Sequence, residues 1–344
     1  MENTTNDDYY PYSGFSQPCE ENLQYFNSTV LVLVYILVFC LSMVGNTVVI
    51  LVVYFMESRR ASTDVYLMHL AIADLLFSLT LPFWAVDLHS ANWMFGTGMC
   101  KVVSGVQETT FYCCVFLLAC ISVDRYLAVV KATQFLSRQR HLVGAVCMVA
   151  WTIAFFLSLP VIVHRKAFIP EDRMNYVCHE NLTESMDEWR MGLRILRHTA
   201  GFFIPLTVMI FCYGFTFSTL CHSRNSQKQK AMRVILCVVL AFIICWLPKI
   251  ITEIIDNLMR ASQITDTCEL RNSIDVALYI TKALAFTHCA FNPILYAFIG
   301  KKFRNQLLMS LFRKGLVGRE TLSKYRVGSV YSSASSRLSS VTQS

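Results

Sequence analysis

The sequence predicts an all-α membrane protein: a seven-transmembrane helix bundle with an extracellular N-terminus and a short amphipathic eighth helix. Of its 344 residues, 55% are hydrophobic and 15% are charged, whereas a soluble domain carries about 25% charged residues. Seven apolar stretches are long enough to cross about 30 Å of hydrocarbon, which takes roughly 20 helical residues. Basic residues also concentrate in alternate connections between these stretches.

The seven predicted spans are continuous apolar runs, which favours helices over the alternating strands of a membrane barrel. In chain order they cover 30–56, 64–87, 98–130, 141–163, 189–221, 228–258 and 274–299. The predicted organisation is an acidic extracellular tail, the bundle, an amphipathic helix on the membrane surface and a disordered Ser/Thr-rich cytoplasmic tail. These four parts occupy 1–28, 29–299, 300–313 and 314–344.

Lysine and arginine orient the bundle, because short loops rich in these residues stay in the cytoplasm. Eighteen of them lie in three connections and the C-terminal stretch, against five in the connections on the other side. The N-terminus, which has none before residue 28, is therefore predicted outside and the C-terminus inside. Three Asn-x-Ser/Thr acceptors, Asn3, Asn27 and Asn181, fall on the outer side, as N-glycosylation requires.

The 14 cysteines also fall into two groups, one within the apolar runs and one on the predicted outer side. Ten lie in apolar runs, where cysteine behaves as a small hydrophobic residue. Four lie outside, where disulfides persist: Cys19, Cys100, Cys178 and Cys268. Four cysteines allow three pairings.

Ionisable groups inside a membrane are costly and mark a cavity or a working site. Asp74 stands in the middle of the second span, and Asn46 and Asn292 are candidate partners at the same depth. Pro248 and Pro293 lack a backbone donor and are expected to kink the sixth and seventh spans.

The extracellular tail is acidic and rich in tyrosine. Residues 1–27 carry five carboxylates and no lysine or arginine, and Tyr9, Tyr10 and Tyr12 follow Asp7 and Asp8. Such a segment can steer a basic protein ligand and wrap around it. The alternative is that the tail is only a solvated charged segment.

Two charged stripes stand at the outer ends of the fifth and sixth spans. Spacings of three and four residues place the members of each stripe on one helical face. The stripes are Arg190, Arg194 and Arg197 on the fifth span, and Lys249, Glu253, Asp256 and Arg260 on the sixth. The arginines can present several donors to a ligand carboxylate. The alternative is mutual salt bridging between the stripes, since buried charges are usually paired.

Several motifs together resemble the rhodopsin-like (class A) G-protein-coupled receptors over residues 28–313. They are Asn46, Asp74, Asp124-Arg125-Tyr126, Trp151, Pro205, Cys245-Trp246-Leu247-Pro248 and Asn292-Pro293-Ile294-Leu295-Tyr296. The resemblance implies that Arg125 is a cytoplasmic latch and that Trp246 is a toggle above the proline kink. It also implies that Tyr213 and Tyr296 swing inward when the sixth helix opens for a G protein.

The same resemblance makes Asp74 a sodium-site candidate. The third-span neighbours Thr110 and Cys114 are poorer sodium ligands than the oxygen-bearing set usual in the family.

Within that family the chain is similar to the chemokine receptors, and most similar to the interleukin-8-type CXC receptors, types 1 and 2. The segments that carry this similarity are 81–84, 93–96, 121–130, 189–196, 227–235 and 292–300. The resemblance implies an extracellular chemokine ligand with a Glu-Leu-Arg motif, an inhibitory-class G protein, and calcium signalling that drives neutrophil chemotaxis. It implies a multi-pass plasma-membrane protein whose C-terminal tail interacts with receptor kinases and arrestin.

The resemblance also suggests the disulfide pairing and the ligand contacts. The favoured pairs are Cys100–Cys178 and Cys19–Cys268. The residues expected to contact the ligand are Asp7, Asp8, Tyr9, Tyr10, Tyr12, Glu20, Arg190, Arg194, Asp256, Asp266 and Arg271, together with Glu108, Lys249 and Lys282 in the lower pocket. The chain departs from the family at Lys249 and Lys282, which make the lower pocket more basic and are expected to pair with Glu108 or Glu253.

Other classes fit less well. No catalytic motif, phosphate loop or metal-binding histidine pair is found, so no catalytic residue, metal or cofactor is expected, and no nucleic-acid partner. A retinal protein would need its lysine at Phe286, one turn from Lys282. Internal repeats, typical of transporters, are not visible. The remaining alternatives are a chemokine-scavenging receptor and a class A receptor for another peptide.

Overall fold

The computed structural model describes residues 28–55, 62–130, 140–170, 174–180, 186–221, 226–261, 263–264, 267–299 and 307–308. Within these ranges, side chains are described except at 140–141, 186–190, 220–221, 226–235 and 296–299. The acidic tail, nearly all of the predicted amphipathic helix at 300–313 and the Ser/Thr-rich segment lie outside the described residues. Those parts of the domain prediction stay predictions.

Helices dominate the part of the chain that the structure describes. They are α1 (Ser28–Tyr54), α2 (Ser62–Ser78), α3 (Leu81–Ser90), α4 (Gly96–Val129), α5 (Arg140–His164), α6 (Met186–His198), α7 (Ile204–Cys221), α8 (Ser226–Arg260), α9 (Cys268–Phe286) and α10 (His288–Ile299). Taken together, they form seven spans long and apolar enough to cross a membrane, which confirms the predicted number.

Three of the seven spans are interrupted. The second changes from α2 to α3 at Thr80, whose hydroxyl donates to the Phe77 carbonyl at 2.6 Å; Pro82 begins α3, where its missing N–H costs little. The fifth passes from α6 to α7 through a π-helical turn, Thr199–Phe203. The seventh is divided between α9 and α10 at Thr287.

The end of the bundle where α4 begins, predicted to be the outer face, carries a two-stranded hairpin that the all-α prediction omitted. Strands β1 (Arg165–Phe168) and β2 (Val177–Glu180) are antiparallel. Cys178 of β2 forms a disulfide with Cys100 at the outer end of α4, which confirms that predicted pair. The hairpin is also fixed to the first outer connection, because the Trp93 N–H donates to the Tyr176 carbonyl at 2.8 Å. These tethers hold a hairpin too short to be stable alone.

The α4 helix forms the centre of the bundle and packs against α2, α5 and α7. Its buried surface is large, and includes Phe111, Tyr112, Leu117 and Leu118. Many large apolar side chains on the outer surface are exposed instead. This distribution fits helices whose outer faces contact lipid rather than water.

Candidate functional site

A cavity of about 170 Å³ lies in the outer half of the bundle, beneath the hairpin. Five basic and three acidic side chains line it: Arg165, Arg194, Arg197, Lys249, Lys282, Glu108, Glu180 and Glu253. Pockets for drug-sized ligands are typically about 300–1,000 Å³. The small volume follows from these long charged side chains, which fill the cavity by binding one another.

Arg197 is the central cation of the cavity. Its Nε and Nη2 donate to the two carboxylate oxygens of Glu108 at 2.8 and 2.7 Å, which is the strong bidentate geometry of this pair. Its Nη1 lies 3.7 Å from Glu253 Oε1. The π-helical turn follows directly after His198, and Gly201 lets this turn pack against the rings of Phe111 and Tyr112.

Three arginines bind Asp256, which lies nearer the predicted outer surface than Arg197. Its fully buried carboxylate accepts from Arg194 Nη1 at 2.5 Å, from Arg271 Nη1 at 3.0 Å and from Arg260 Nε at 3.2 Å. Arg194 also donates to Asn257 Oδ1 at 2.8 Å. The fifth- and sixth-span stripes therefore bind each other, as the salt-bridging alternative predicted, and α9 joins them through Arg271.

The two lysines that depart from the family pattern behave differently. Lys249 binds Glu253, as predicted, and His198 Nε2 lies 3.0 Å from the other oxygen of that carboxylate. The prediction for Lys282 is wrong: no carboxylate of the described residues lies within salt-bridge distance of it. Its Nζ lies 4.2 Å from the centroid of the Trp84 ring, a cation–π contact, and Asp87 is the carboxylate whose charge acts on it most strongly.

The hairpin adds an ion pair that the sequence analysis did not predict. Arg165 Nε donates to Glu180 Oε1 at 2.9 Å, and Arg165 Nη1 donates to the Cys178 carbonyl at 3.1 Å. Burial alone would raise the pKa of the Glu180 carboxyl, but the Arg165 charge and His179 hold that pKa well below its usual range. Glu180 therefore stays ionised at the cavity rim.

Deeper in the bundle, Asp74 is fully buried. Asn292 Nδ2 donates to Asp74 Oδ2 at 2.7 Å, as predicted. Asn46 donates instead to the Cys289 carbonyl at 2.9 Å and to Ser42. Cys114 Sγ lies 3.6 Å from Asp74 Oδ1.

Trp246, the predicted toggle, lies between this buried cluster and the cavity. Its ring centroid is 4.2 Å from that of Phe111 and 5.4 Å from that of His288. Pro248 follows it inside α8. Trp246 therefore touches both the cavity floor and a neighbour of Asp74.

At the C-terminal end of α4, which is predicted to face the cytoplasm, Asp124 is held by two donors. Arg125 Nη2 donates to it at 2.5 Å, and Ser62 Oγ donates at 3.0 and 3.1 Å to its two oxygens. Tyr126 packs against Phe211 and Phe215 of α7. The Arg125 side chain is thereby bound within its own helix end. Tyr213 packs against the core, and Pro293 approaches Gly45 of α1.

The remaining predicted site residues lie outside the part of the chain that the structure describes. They are Asn3, Asp7, Asp8, Tyr9, Tyr10, Tyr12, Cys19, Glu20, Asn27, Asn181 and Asp266. The side chains of Arg190 and Tyr296 are also outside it. Cys268 is disulfide-bonded, and its pairing with Cys19 stays a prediction.

Comparison with known proteins identifies the family of this seven-span bundle. A family model described as "7 transmembrane receptor (rhodopsin family)" matches residues 45–296. The chain belongs to the rhodopsin family of seven-transmembrane receptors. The match covers the Asp74 cluster, the Asp124-Arg125-Tyr126 end of α4 and all the described cavity-lining residues.

Several relatives within this family are much closer than the family as a whole. The receptor is 50% identical over 317 residues to the C-X-C chemokine receptor type 1 of Oryctolagus cuniculus, covering 92% of this chain and 89% of the relative. It is 49% identical to the type 1 receptor of Homo sapiens, over 94% of this chain and 91% of the relative. Identity to the type 2 receptor of Oryctolagus cuniculus is 49%, over 94% and 90%.

Proposed function

We propose that this receptor binds a CXC chemokine of the Glu-Leu-Arg type from outside the cell and activates an inhibitory-class G protein. The observation that supports this most is the cavity lined by more cations than carboxylates, in a chain about half identical to C-X-C chemokine receptors. The glutamate of the ligand would compete with the carboxylates of the receptor for arginine guanidinium groups, whose donors fit the geometry of a carboxylate.

Ligand recognition has two parts in this proposal. The acidic tail attracts the basic body of the chemokine, since clustered charge raises the rate of encounter. The Glu-Leu-Arg segment then enters the cavity, where its glutamate takes Arg194 from Asp256 and its arginine approaches the released carboxylate. Exchange of partners avoids leaving a buried charge without a counter-charge, which would cost about 3–5 kcal/mol.

The signal is a shift between two conformations. Arg194 joins the fifth span to the sixth by binding Asp256, and Arg197 joins the fifth span to the third by binding Glu108. A ligand that rearranges these pairs favours one arrangement of α7 against α8, and the cytoplasmic ends of these helices then separate for the G protein. The chemokine must bind that second state more tightly, because a ligand with equal affinity for both shifts nothing.

A double-mutant cycle between receptor and ligand tests the ligand contact. We expect Arg194→Ala to weaken binding of a Glu-Leu-Arg chemokine at least tenfold, and the same chemokine with its motif Glu changed to Ala to lose a similar factor on the unmodified receptor. The two losses should not add, because they remove the same interaction. Lys101→Ala is the matched control, since this α4 cation donates to the Ile162 carbonyl outside the cavity.

Coupling is tested separately by GTP exchange on an inhibitory-class G protein in membranes containing the receptor. Chemokine-dependent exchange is the expected result. Additive losses in the cycle would contradict the assigned contact. Chemokine binding and internalisation without exchange would favour the scavenging alternative, and binding only of another peptide would favour the third candidate.

A further inference from the structure

Three metal-ligand side chains from three different spans meet in the middle of the bundle. Asp74 of α2, Cys114 of α4 and His288 of α10 are each at most 3% exposed. One ligand atom of each lies within 4.8 Å of the other two. The chemokine-binding function proposed above uses neither Cys114 nor His288.

The orientation of His288 is that of a metal ligand. Its Nδ1 lies 2.7 Å from the Ala285 carbonyl oxygen, which can only accept, so Nδ1 carries the hydrogen. Nε2 is buried, has no hydrogen-bond partner among the described residues, and lies 3.8 Å from Asp74 Oδ1. Metal-binding histidines typically donate their other ring N–H to a backbone carbonyl in this way.

The distances are close to those of tetrahedral zinc coordination, and closing the site on an ion requires only a small movement of the His288 ring toward Asp74. Zinc binds sulfur at about 2.3 Å, and nitrogen and carboxylate oxygen at about 2.0–2.2 Å. In a tetrahedron these lengths put sulfur about 3.5 Å and nitrogen about 3.3 Å from the oxygen. The observed separations from Asp74 Oδ1 are 3.6 Å for Cys114 Sγ and 3.8 Å for His288 Nε2. Asn292 holds the other oxygen of the carboxylate at 2.7 Å.

The chemistry of the three ligands selects the cation. Sulfur and imidazole nitrogen favour zinc-type metals, whereas hard cations favour sites made of oxygen. On binding, the Cys114 thiol loses its proton to solvent and binds as the thiolate. The charges of that thiolate and of the Asp74 carboxylate then balance a divalent cation, so the buried site carries no net charge.

We propose that Asp74, Cys114 and His288 form an intramembrane binding site for Zn²⁺. A bound ion would join α2, α4 and α10, which belong to the second, third and seventh spans. The His288 ring packs against Trp246 and Phe242, with centroids 5.4 and 5.8 Å apart. Zn²⁺ is therefore expected to restrain the helix that carries Trp246 and to lower agonist-stimulated GTP exchange.

Zinc binding is measured on the purified full-length receptor in lipid nanodiscs, after chelator treatment and without chemokine. We expect one high-affinity Zn²⁺ per receptor and a rise in thermal stability that NaCl does not reproduce. Cys114→Ser should weaken Zn²⁺ affinity at least tenfold. Cys147→Ser is the matched control, since Cys147 is an equally buried free cysteine on α5 and should leave the affinity unchanged.

The proposal is overturned if zinc stabilises Cys114→Ser as much as the unmodified receptor, or if it stabilises neither. If Cys114→Ser does not fold, cobalt substitution of the unmodified receptor tests the site instead. Co²⁺ at this site should give tetrahedral visible bands and a thiolate-to-cobalt charge-transfer band that Zn²⁺ abolishes. A cobalt spectrum without the thiolate band would place the metal on other residues and reject the site. Neither measurement depends on which ligand the receptor recognises outside.

Discussion

The guanidinium of Arg197 and the carboxylate of Glu108 meet in a two-point contact, with N–O distances of 2.8 and 2.7 Å. Arg197 ends the outer part of the fifth span, just before the π-helical turn, and Glu108 belongs to α4. Both side chains are largely buried, with 17% and 9% of their side-chain surface exposed. This pair therefore fixes the fifth span to the central helix at the floor of the ligand cavity.

Arg197→Ala should strongly destabilise the receptor. The substitution leaves the Glu108 carboxylate buried without its bidentate partner, and breaking a buried pair costs about 3–5 kcal/mol. Glu253 retains Lys249 and His198, so the loss should fall mainly on Glu108. Thermal unfolding of the purified receptor measures the change.

The matched test is the double variant Glu108→Leu with Arg197→Met. Apolar replacement of both partners leaves no buried charge and should recover most of the stability lost in Arg197→Ala. A double variant as unstable as the single one would show that the pair is not the cause. Chemokine affinity should fall in both variants, because the ligand loses a cation in each.

Gly45→Ala should also destabilise, for a steric reason. A Cβ at position 45 would lie 2.7 Å from Cβ and 2.8 Å from Cγ of Pro293, closer than carbon atoms pack. Proline cannot move its ring away without moving α10, so we expect a loss of about 1–3 kcal/mol. Gly144→Ala on α5 is the control, because a Cβ at position 144 would meet no atom within 4 Å and alanine favours helix. Equal melting temperatures for the two variants would contradict this argument.

Arg165→Ala should change how stability depends on pH. The pKa of Glu180 lies well below 4.5 in the folded receptor, so its contribution is full above pH 4.5 and is lost only as pH falls through that low folded value. Without Arg165, the burial of Glu180 is opposed only by His179 and the backbone, so the pKa rises and the stability that the carboxylate contributes above pH 4.5 becomes smaller. The difference in melting temperature between Arg165→Ala and the unmodified receptor should therefore be larger at pH 7 than at pH 4.

This measurement needs a control, because Glu180 has a second neighbour that can carry a charge. His179 Nδ1 lies 2.9 Å from Glu180 Oε2, so the control must separate the Arg165 charge from the His179 contact. Arg165→Lys keeps the charge and should retain most of the low-pKa behaviour with weaker geometry. A pH-independent difference for Arg165→Ala would mean that the ion pair is not what holds the hairpin.

Much of the fold could be predicted because the bilayer imposes a length and an apolar composition on every span. The interruption at Thr287 and the π-helical turn at Thr199–Phe203 could not, because each depends on packing between helices. The hairpin was not predicted for a related reason. Its four-residue strands are too short to show a clear sequence pattern, and β2 is held by contacts of Cys178 and Tyr176 with other parts of the chain.

The charged site was likewise predictable only in part from the sequence. Spacing placed Arg194, Arg197, Lys249 and Glu253 on the correct faces, but it could not choose among partners on other helices. Lys282 shows the limit: the prediction paired the two lysines with Glu108 or Glu253, yet the Trp84 ring lies beside Lys282. Arg165 and Glu180 were missed because their pairing follows from strand register, in which they lie opposite each other.

Arg125→Ala should abolish chemokine-stimulated GTP exchange while leaving chemokine affinity within about threefold. Arg125 lies at the cytoplasmic end of α4, and its described partner there is Asp124, far along the helix from the cavity. The variant therefore removes the residue that the family resemblance assigns to the latch and leaves the cavity-lining side chains in place. Saturation binding and GTP exchange on the same membranes separate the two effects, and an unchanged exchange rate would rule out the latch role.

Ser62→Ala should raise GTP exchange in the absence of ligand. Ser62 Oγ donates to both oxygens of Asp124, at 3.0 and 3.1 Å, and so helps to hold the carboxylate that binds Arg125. Hydrogen bonds to a charged group contribute about 1.5–3 kcal/mol, and about 1.4 kcal/mol changes an equilibrium tenfold. If the closed latch lowers activity, losing this bond should increase the open fraction by about tenfold or more. Ser90→Ala, whose hydroxyl donates to the Val86 carbonyl at the opposite end of the second span, should leave basal exchange unchanged. Basal exchange that is equal in the two variants would show that Asp124 is held firmly enough by Arg125 alone.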